Sequence, residues 1–430
     1  MSANRVCLAS TILGLLCCAC DKDIQDTQWP ETGDSPVDTD TTEPDEGPCS
    51  GGGWGAIQDP DNAIHVRTDG SDVGDGNVGD PVATLEQAVE LARARSTDKL
   101  IALGQGTFTG GADLEGATDL GETDNGTVIQ GCGVGETIIE TSDGSATVFH
   151  LDGASGVVIQ GLTSRGGTRN VQALNGANAT LEDLIIEDAT EVGVFAHGTN
   201  VELVLSDVEV HDTQAGRAGV GYGFAFQHGA TVTMSGGGAW SNVAAGVLLD
   251  GVTEVCLDGV TIEGTQPTSA GWFGRGISVQ NASAQVSILD STVTRNADAG
   301  LFAVEPLSVT VTGSTFHETG EGAIPDGTEA TGDGMVFVRP TDDANPSLFN
   351  VTLQDNIVSS SARAGIVLDG VTASVSGTIQ KDNDFSEGGT SLVSQGSADL
   401  SSSTDDIATM SDTEALGLNV TDIDVLSDEP

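Results

Sequence analysis

GVLLDGVT at residues 246–253 and GIVLDGVT at residues 365–372 are nearly one octet written twice, 119 positions apart. The same opening, a Gly followed by a short apolar run, recurs as GVFAHG at Gly193, GFAFQHG at Gly223, GISVQN at Gly276, GLFAVE at Gly300 and GMVFVR at Gly334. Successive glycines from Gly193 to Gly365 lie 30, 23, 30, 24, 34 and 31 residues apart. Each is preceded by a second apolar stretch: TLEDLII, ELVLSDVEV, TVTMSGGGAW, EVCLDGVTI, QVSILDSTV, SVTVTGSTF and NVTLQDNIV. Alternation at period two marks a strand. Self-similarity near 23 residues with insertions marks one turn of a solenoid. TVFHLDG (147–153) and GVVIQGLTSRG (156–166) add earlier turns. The sequence therefore predicts a coil wound about ten times, three short strands to a turn, its alternate side chains stacked inward. The two octets occupy the same side of coils about five windings apart.

Composition agrees. The 430 residues include 59 Gly and only 4% aromatics, yet 37% are apolar, so Val, Ile, Leu and Ala must make the core. Short Val/Ile/Thr runs broken by Gly, Asn and Asp read as strands rather than amphipathic helices. With 14 basic against 65 acidic residues the formal charge is −51. A polyanion with no basic stripe repels nucleic acid, which excludes that class of partner. The charge favours solubility and attracts cations.

The N-terminus reads as a leader. Arg5 precedes an apolar stretch from Val6 to Leu16 and then small residues, too short to span a membrane. Leu15-Leu16-Cys17-Cys18-Ala19-Cys20 resembles the lipobox of bacterial lipoproteins, with Cys18 as an alternative site. That resemblance implies a signal peptide over 1–19, a lipidated Cys20, and an exported, membrane-anchored protein, periplasmic or at the cell surface. Residues 20–62 are rich in Asp, Glu, Thr and Pro and are expected to form an acidic, disordered tether. With Cys20 modified, Cys49, Cys132 and Cys256 remain, an odd number that allows at most one disulfide. Cys132 and Cys256, about five coils and roughly 24 Å apart, are too distant to pair and are read as buried small side chains. Cys49 can pair only if the tether folds back.

AIHVRTDGSDVGDGNVGDPVATLEQAVELARA (63–94) gives a short strand, a Gly/Asp loop and one helix capped by Thr84, before strands alone. Asp69-Gly70-Ser71-Asp72, Gly74-Asp75-Gly76, Pro81, Thr84-Leu85 and Ala88 resemble the opening of right-handed parallel β-helix proteins of the pectate-lyase-like superfamily. The resemblance implies an all-β, single-stranded right-handed parallel β-helix over 63–395, its N-terminal end plugged by the helix. Residues 396–430 then form an acidic tail, or a cap over the last coil's edge, which would otherwise invite strand pairing. The carboxylates of Asp69, Asp72 and Asp75 on a Gly-rich turn suit Ca²⁺, the one cofactor the sequence offers. Asx turns account for the same residues.

Insertions in a solenoid map to loops on one side, often the binding side. Here TQAGRAGVGY (213–222), TQPTSAGWFGR (265–275) and TGEGAIPDGTEATGD (319–333) fall just before the Gly-led strand in alternate coils, whereas NVAAG, NADAG and SARAG pass directly. Stacked two coils apart, they would form a rim of three fingers about 10 Å apart. The rim gathers Arg217, Tyr222, Trp272, Phe273 and Arg275. Aromatic faces stack on sugar rings and Arg grips carboxylates, so polysaccharide or cell-surface glycan is the expected partner. Alternatively Trp272 and Phe273 fold down over apolar surface. At the base of the loops, His211, Asp212, Glu263, His317 and Glu318 share a corner. Asp212 and Glu263, about 10 Å apart, stand near the upper limit for a water-separated acid–base pair in inverting glycoside hydrolysis. Asp188, Asp212, Asn242, Asn296 and Glu318 resemble the asparagine ladder of the superfamily, a structural feature. Lyases of that superfamily typically use Arg or Lys as base, and Lys22, Lys99 and Lys381 are remote from the loops. The readings are thus a monomeric surface protein that binds polysaccharide, a structural or adhesive one, or a polysaccharide lyase or glycoside hydrolase.

Overall fold

The computed structural model describes Cys49 and residues 61–95, 97, 99–115, 123–141, 146–281, 283–320, 331–339, 349–381, 390–396, 398–402, 416, 418, 420 and 422–427. The leader, Cys20 and most of the expected tether lie outside these. Among the described residues the strands form two sheets, one of 21 strands and one of 11. One turn shows the path. Gly221–Gln227 lies in the smaller sheet, Thr231–Ser235 and Gly238–Trp240 lie in the larger, and Ala244–Asp250 returns to the smaller. Each strand pairs in parallel with its counterpart one turn on, so the chain forms a stacked parallel coil.

The repeated glycines have a steric cause. Gly223, Gly246, Gly276, Gly300, Gly334 and Gly365 form one row across the smaller sheet. A Cβ at Gly276 would come within 2.6 Å of the Gly300 carbonyl oxygen, and one at Gly300 within 2.5 Å of that of Gly334. Any side chain there would push the turns apart. The two octets are four strands apart in this row rather than the five windings expected.

Inside, the rows are apolar. Phe224, Val247, Ile277, Leu301, Met335 and Ile366 line the smaller sheet, facing Val232, Val255, Val286, Val309, Val351 and Ala373 of the larger. Each such Val, Leu, Ile, Phe or Met side chain contributes about 1.5–3 kcal/mol on burial. The bend within the larger sheet is a row of left-handed Asp and Gly residues, in which Asp207 precedes Gly236, Asp290 precedes Gly313, and Asp355 precedes Gly377. Asp tolerates that conformation, and its carboxylate then fills the space a Cβ would need in the next turn.

The helix Leu85–Arg93 forms where the periodicity predicts it. The Gln87 N–H donates to Thr84 Oγ1 at its N-cap (3.2 Å). Leu85, Ala88, Val89 and Ala92 pack into the same core as Ile64, Val66 and Ile101, closing one end of the coil.

Two expectations are corrected. Cys132 is not a free buried thiol but is disulfide-bonded to Cys49, with Cα atoms 5.4 Å apart, so Cys49 of the expected tether lies against the first turns. Cys256 is likewise disulfide-bonded rather than a free thiol. Of the described residues after 395, Asp399–Ser402 adds one more strand beside Thr372–Ser376, and Leu416, Ile423 and Leu426 lie against the side of the coil.

Candidate functional site

Parallel stacking turns one position per coil into a row. His211, Trp240, Glu263, Thr294, His317 and Ser359 are successive members of an outward row of the larger sheet. Outward side chains in one row stand about 4.8 Å apart. The His211 imidazole lies parallel on the Trp240 indole, centroids 4.8 Å apart and planes 9° apart. His211 Nε2 is 3.0 Å from Glu209 Oε2. Further along, Arg295 bridges two turns, Nη1 donating to Glu318 (3.2 Å) and Nη2 to Glu263. These two carboxylates, Glu263 first, raise the Arg295 guanidinium above its ordinary value. His317 Nδ1 is 3.8 Å from Glu318. The result is a half-exposed aromatic step beside a charged ladder.

Of the residues read as acid–base candidates, His211, Glu263 and His317 share this row. Asp212 and Glu318 stand one position on, at the left-handed corner with Asp188, Ser241, Arg295 and Ser360. Asn242 and Asn296 do not join that corner, a correction to the single polar column expected. They lie one residue further in, fully buried, alternating with Thr213 and Thr265. Asn242 Oδ1 accepts from the Thr213 N–H (3.0 Å), and Asn296 Oδ1 from the Thr265 N–H (3.0 Å). This ladder satisfies turn amides that have no strand partner. Trp240 and Arg295 were not singled out from the sequence. Trp240 ends the stretch TVTMSGGGAW, and counting one turn on from His211 reaches it.

The rim residues separate. Arg217 is exposed, and Trp272 and Phe273 are half-buried. The Trp272 carbonyl accepts from the Thr268 N–H (2.9 Å), while Phe273 packs against a second apolar cluster containing Tyr222. Tyr222 and Arg275 are corrections, because neither is open to a ligand at a rim. Both face outward from the smaller sheet, in one row with Arg169, yet both are fully buried. The cover is the chain's own C-terminal segment: Tyr222 Oη donates to the Asp424 carbonyl at 2.6 Å. Burial raises the Tyr222 phenol well above its ordinary range. The Arg275 guanidinium sits 3.8 Å from the Phe302 ring centroid and 5.1 Å from that of Phe273, with Nε 3.3 Å from Asp298. Burial lowers its pKa, opposed by Asp298. Of the third loop, residues 321–330 lie outside those described.

The N-terminal carboxylates serve their own loop. Asp72 Oδ1 accepts from the N–H groups of Ala83 (2.9 Å) and Thr84 (3.0 Å). Asp69 pairs with Arg67 (3.0 and 3.1 Å), and Asp75 Oδ1 accepts from the Asn77 N–H (3.1 Å). Among the described residues no group of three His, Cys, Asp or Glu side chains is placed to hold a metal ion.

Comparison with known proteins adds the following. A family model for the right-handed beta helix region matches residues 146–316. No curated protein matches the chain. Among solved structures, the A-module of a mannuronan C-5 epimerase of Azotobacter vinelandii is similar, at 14% identity and a TM-score of 0.51, over 74% of this chain and 92% of that one. The catalytic domain of an α-1,3-glucanase is similar at 13% identity and a TM-score of 0.41, over 80% and 67%. Stacked parallel turns, a glycine row and the matched segment together make this chain a right-handed parallel β-helix with one short helix near its N-terminus.

Proposed function

We propose that the protein binds polysaccharide on the outward wall of the coil, along the row of His211, Trp240, Glu263 and His317, beside the loop carrying Trp272. The observation that carries this reading is the parallel His211–Trp240 stack. A flat, half-exposed aromatic step takes the apolar face of a sugar ring. The neighbouring Glu209, Arg295 and Glu318 supply charged hydrogen-bonding groups for hydroxyls or carboxylates. The similar epimerase fold acts, by its name, on a polysaccharide, which accords with the reading without carrying it. Anchoring through a lipid on Cys20, with residues 20–62 as a spacer, would hold this wall away from a bacterial membrane.

The test is binding of the full chain to a panel of acidic and neutral polysaccharides, followed by Trp240→Ala and Trp272→Ala. Loss of the indole face of Trp240 is expected to weaken binding about tenfold, or ~1.4 kcal/mol. Unchanged binding in both variants, or no polysaccharide bound by the wild type, overturns the proposal. A structural or adhesive role is the second reading. It is favoured by the burial of Tyr222 and Arg275, which removes two of the five rim residues from solvent.

A further inference from the structure

The C-terminal segment is held along the outer face of the smaller sheet by a regular device. Gln395 Nε2 donates to the Leu416 carbonyl (3.0 Å) while its Oε1 accepts from the Leu416 N–H (2.9 Å). Gln280 does the same with Ile423 (2.9 and 3.0 Å). With its amide oriented to satisfy both groups, Gln227 does the same with Leu426 (3.1 and 3.3 Å). Tyr222 Oη donates to the Asp424 carbonyl and Arg169 Nη2 to the Ser427 carbonyl (2.8 Å). All five side chains address main-chain groups of the segment. A carboxamide carries one donor side and one acceptor side, which suits it to the N–H and C=O of a single residue in an extended peptide.

The spacing is commensurate. Gln227 and Gln280 are two turns apart, joined through Asp250, a rise of about 10 Å. Their partners Leu426 and Ile423 are three residues apart, and three extended residues also span about 10 Å. At these two clamps the held residues' side chains go deep. Ile423 and Leu426 join a cluster with Phe195, Tyr222 and Leu248. Val420 and Val425, by contrast, are exposed.

The geometry points to a docking groove for an extended peptide on the outer face of the eleven-stranded sheet. It reads main chain through Gln227, Gln280 and Gln395 and accepts apolar side chains three residues apart, with Leu416 and residues 422–427 as its built-in occupant. A face needing only permanent cover could be wholly apolar. This one instead carries Arg169 paired with Glu191 (2.9 Å) and Arg275 paired with Asp298, and replacing such buried pairs by apolar residues is often neutral or stabilising. The inference is independent of polysaccharide binding, which concerns the other sheet.

The test uses the full chain with a specific protease site inserted between residues 403 and 415, and a fluorescent peptide copying residues 411–430. After cleavage the protein is expected to keep its thermal transition, to exchange its own segment for the labelled peptide at one site, and to bind it at least about tenfold better than the intact chain, where the tethered segment competes at high effective concentration. A peptide with Ile423→Asp and Leu426→Asp is expected to bind about a hundredfold more weakly, since its two anchors carry most of the sequence-dependent binding. Unfolding on cleavage overturns the proposal, because the segment is then part of the fold. So do failure to exchange, equal binding of the two peptides, and displacement of the peptide by polysaccharide.

Discussion

Gly313 shows how tightly single residues are specified by the turn above. Its φ is +64°, and a Cβ there would lie 2.1 Å from Asp290 Oδ1. Gly313→Ala is expected to cost about 1–3 kcal/mol through strain and collision, read as a lower urea midpoint. Asp290→Gly in the same chain should recover the part due to collision. Tyr222 offers a second residue-scale test because it is the chain's only tyrosine. Its phenol is raised mainly by burial, with Asp424, Glu191 and Asp250 adding to the effect. Below its ordinary value of about 10 the phenol is protonated both folded and unfolded, and its contribution to stability is constant. As pH rises above that value the unfolded state loses the proton first, so stability falls through the alkaline window up to the folded pKa. Ultraviolet titration should show phenolate appearing well above the pH expected for free tyrosine. An ordinary titration curve would mean that the C-terminal segment does not cover the ring.

At the scale of elements, the strands form because Val, Ile, Leu and Phe alternate with polar residues, and the corners form because Asp, Asn, Thr and Gly satisfy tight bends. The ladder is the most exposed to test. Asn296→Ala removes the acceptor for the buried Thr265 N–H and the donor to the Ile262 carbonyl (3.4 Å). An unsatisfied buried amide costs about 1–3 kcal/mol, so the thermal midpoint should drop. Asn296→Thr restores a hydroxyl of the kind that alternates in this row and should lose less; equal losses would show that the amide geometry is not what matters. The rows themselves were legible in the sequence, because a period near 23 residues fixes which positions stack. The corner and the buried ladder were merged in that reading because they differ by a single residue, and only backbone direction tells which of two neighbours points inward.

The described residues form a coil with two additions from outside the repeat, one before it and one after it. Cys49 reaches back to Cys132 across 83 residues. Closing a loop of that size contributes about 2–5 kcal/mol. Cys132→Ser is expected to lower stability by that amount, measured by denaturant unfolding, while leaving the β-rich circular dichroism spectrum of the folded state unchanged. A spectrum that loses its strand signal would instead make the disulfide a condition of folding. The C-terminal segment is the second addition, and it changes what the outer face of the smaller sheet offers. Tyr222 and Arg275 stand on that face as the spacing of the turns places them, but 202 residues separate Tyr222 from the backbone group that covers it.

The sequence alone determined the coil, its parallel stacking, the helix at its start and the rows that bring His211, Glu263 and His317 together. The helix follows from a single run of helical periodicity, and the rest from a period repeated once per turn. Tertiary structure alone decided that Cys49 meets Cys132 and that the C-terminal segment lies over Tyr222 and Arg275. Those contacts join stretches outside the repeat to the repeat. No period encodes them, because they depend on where an irregular segment finds main-chain partners and an apolar surface to cover.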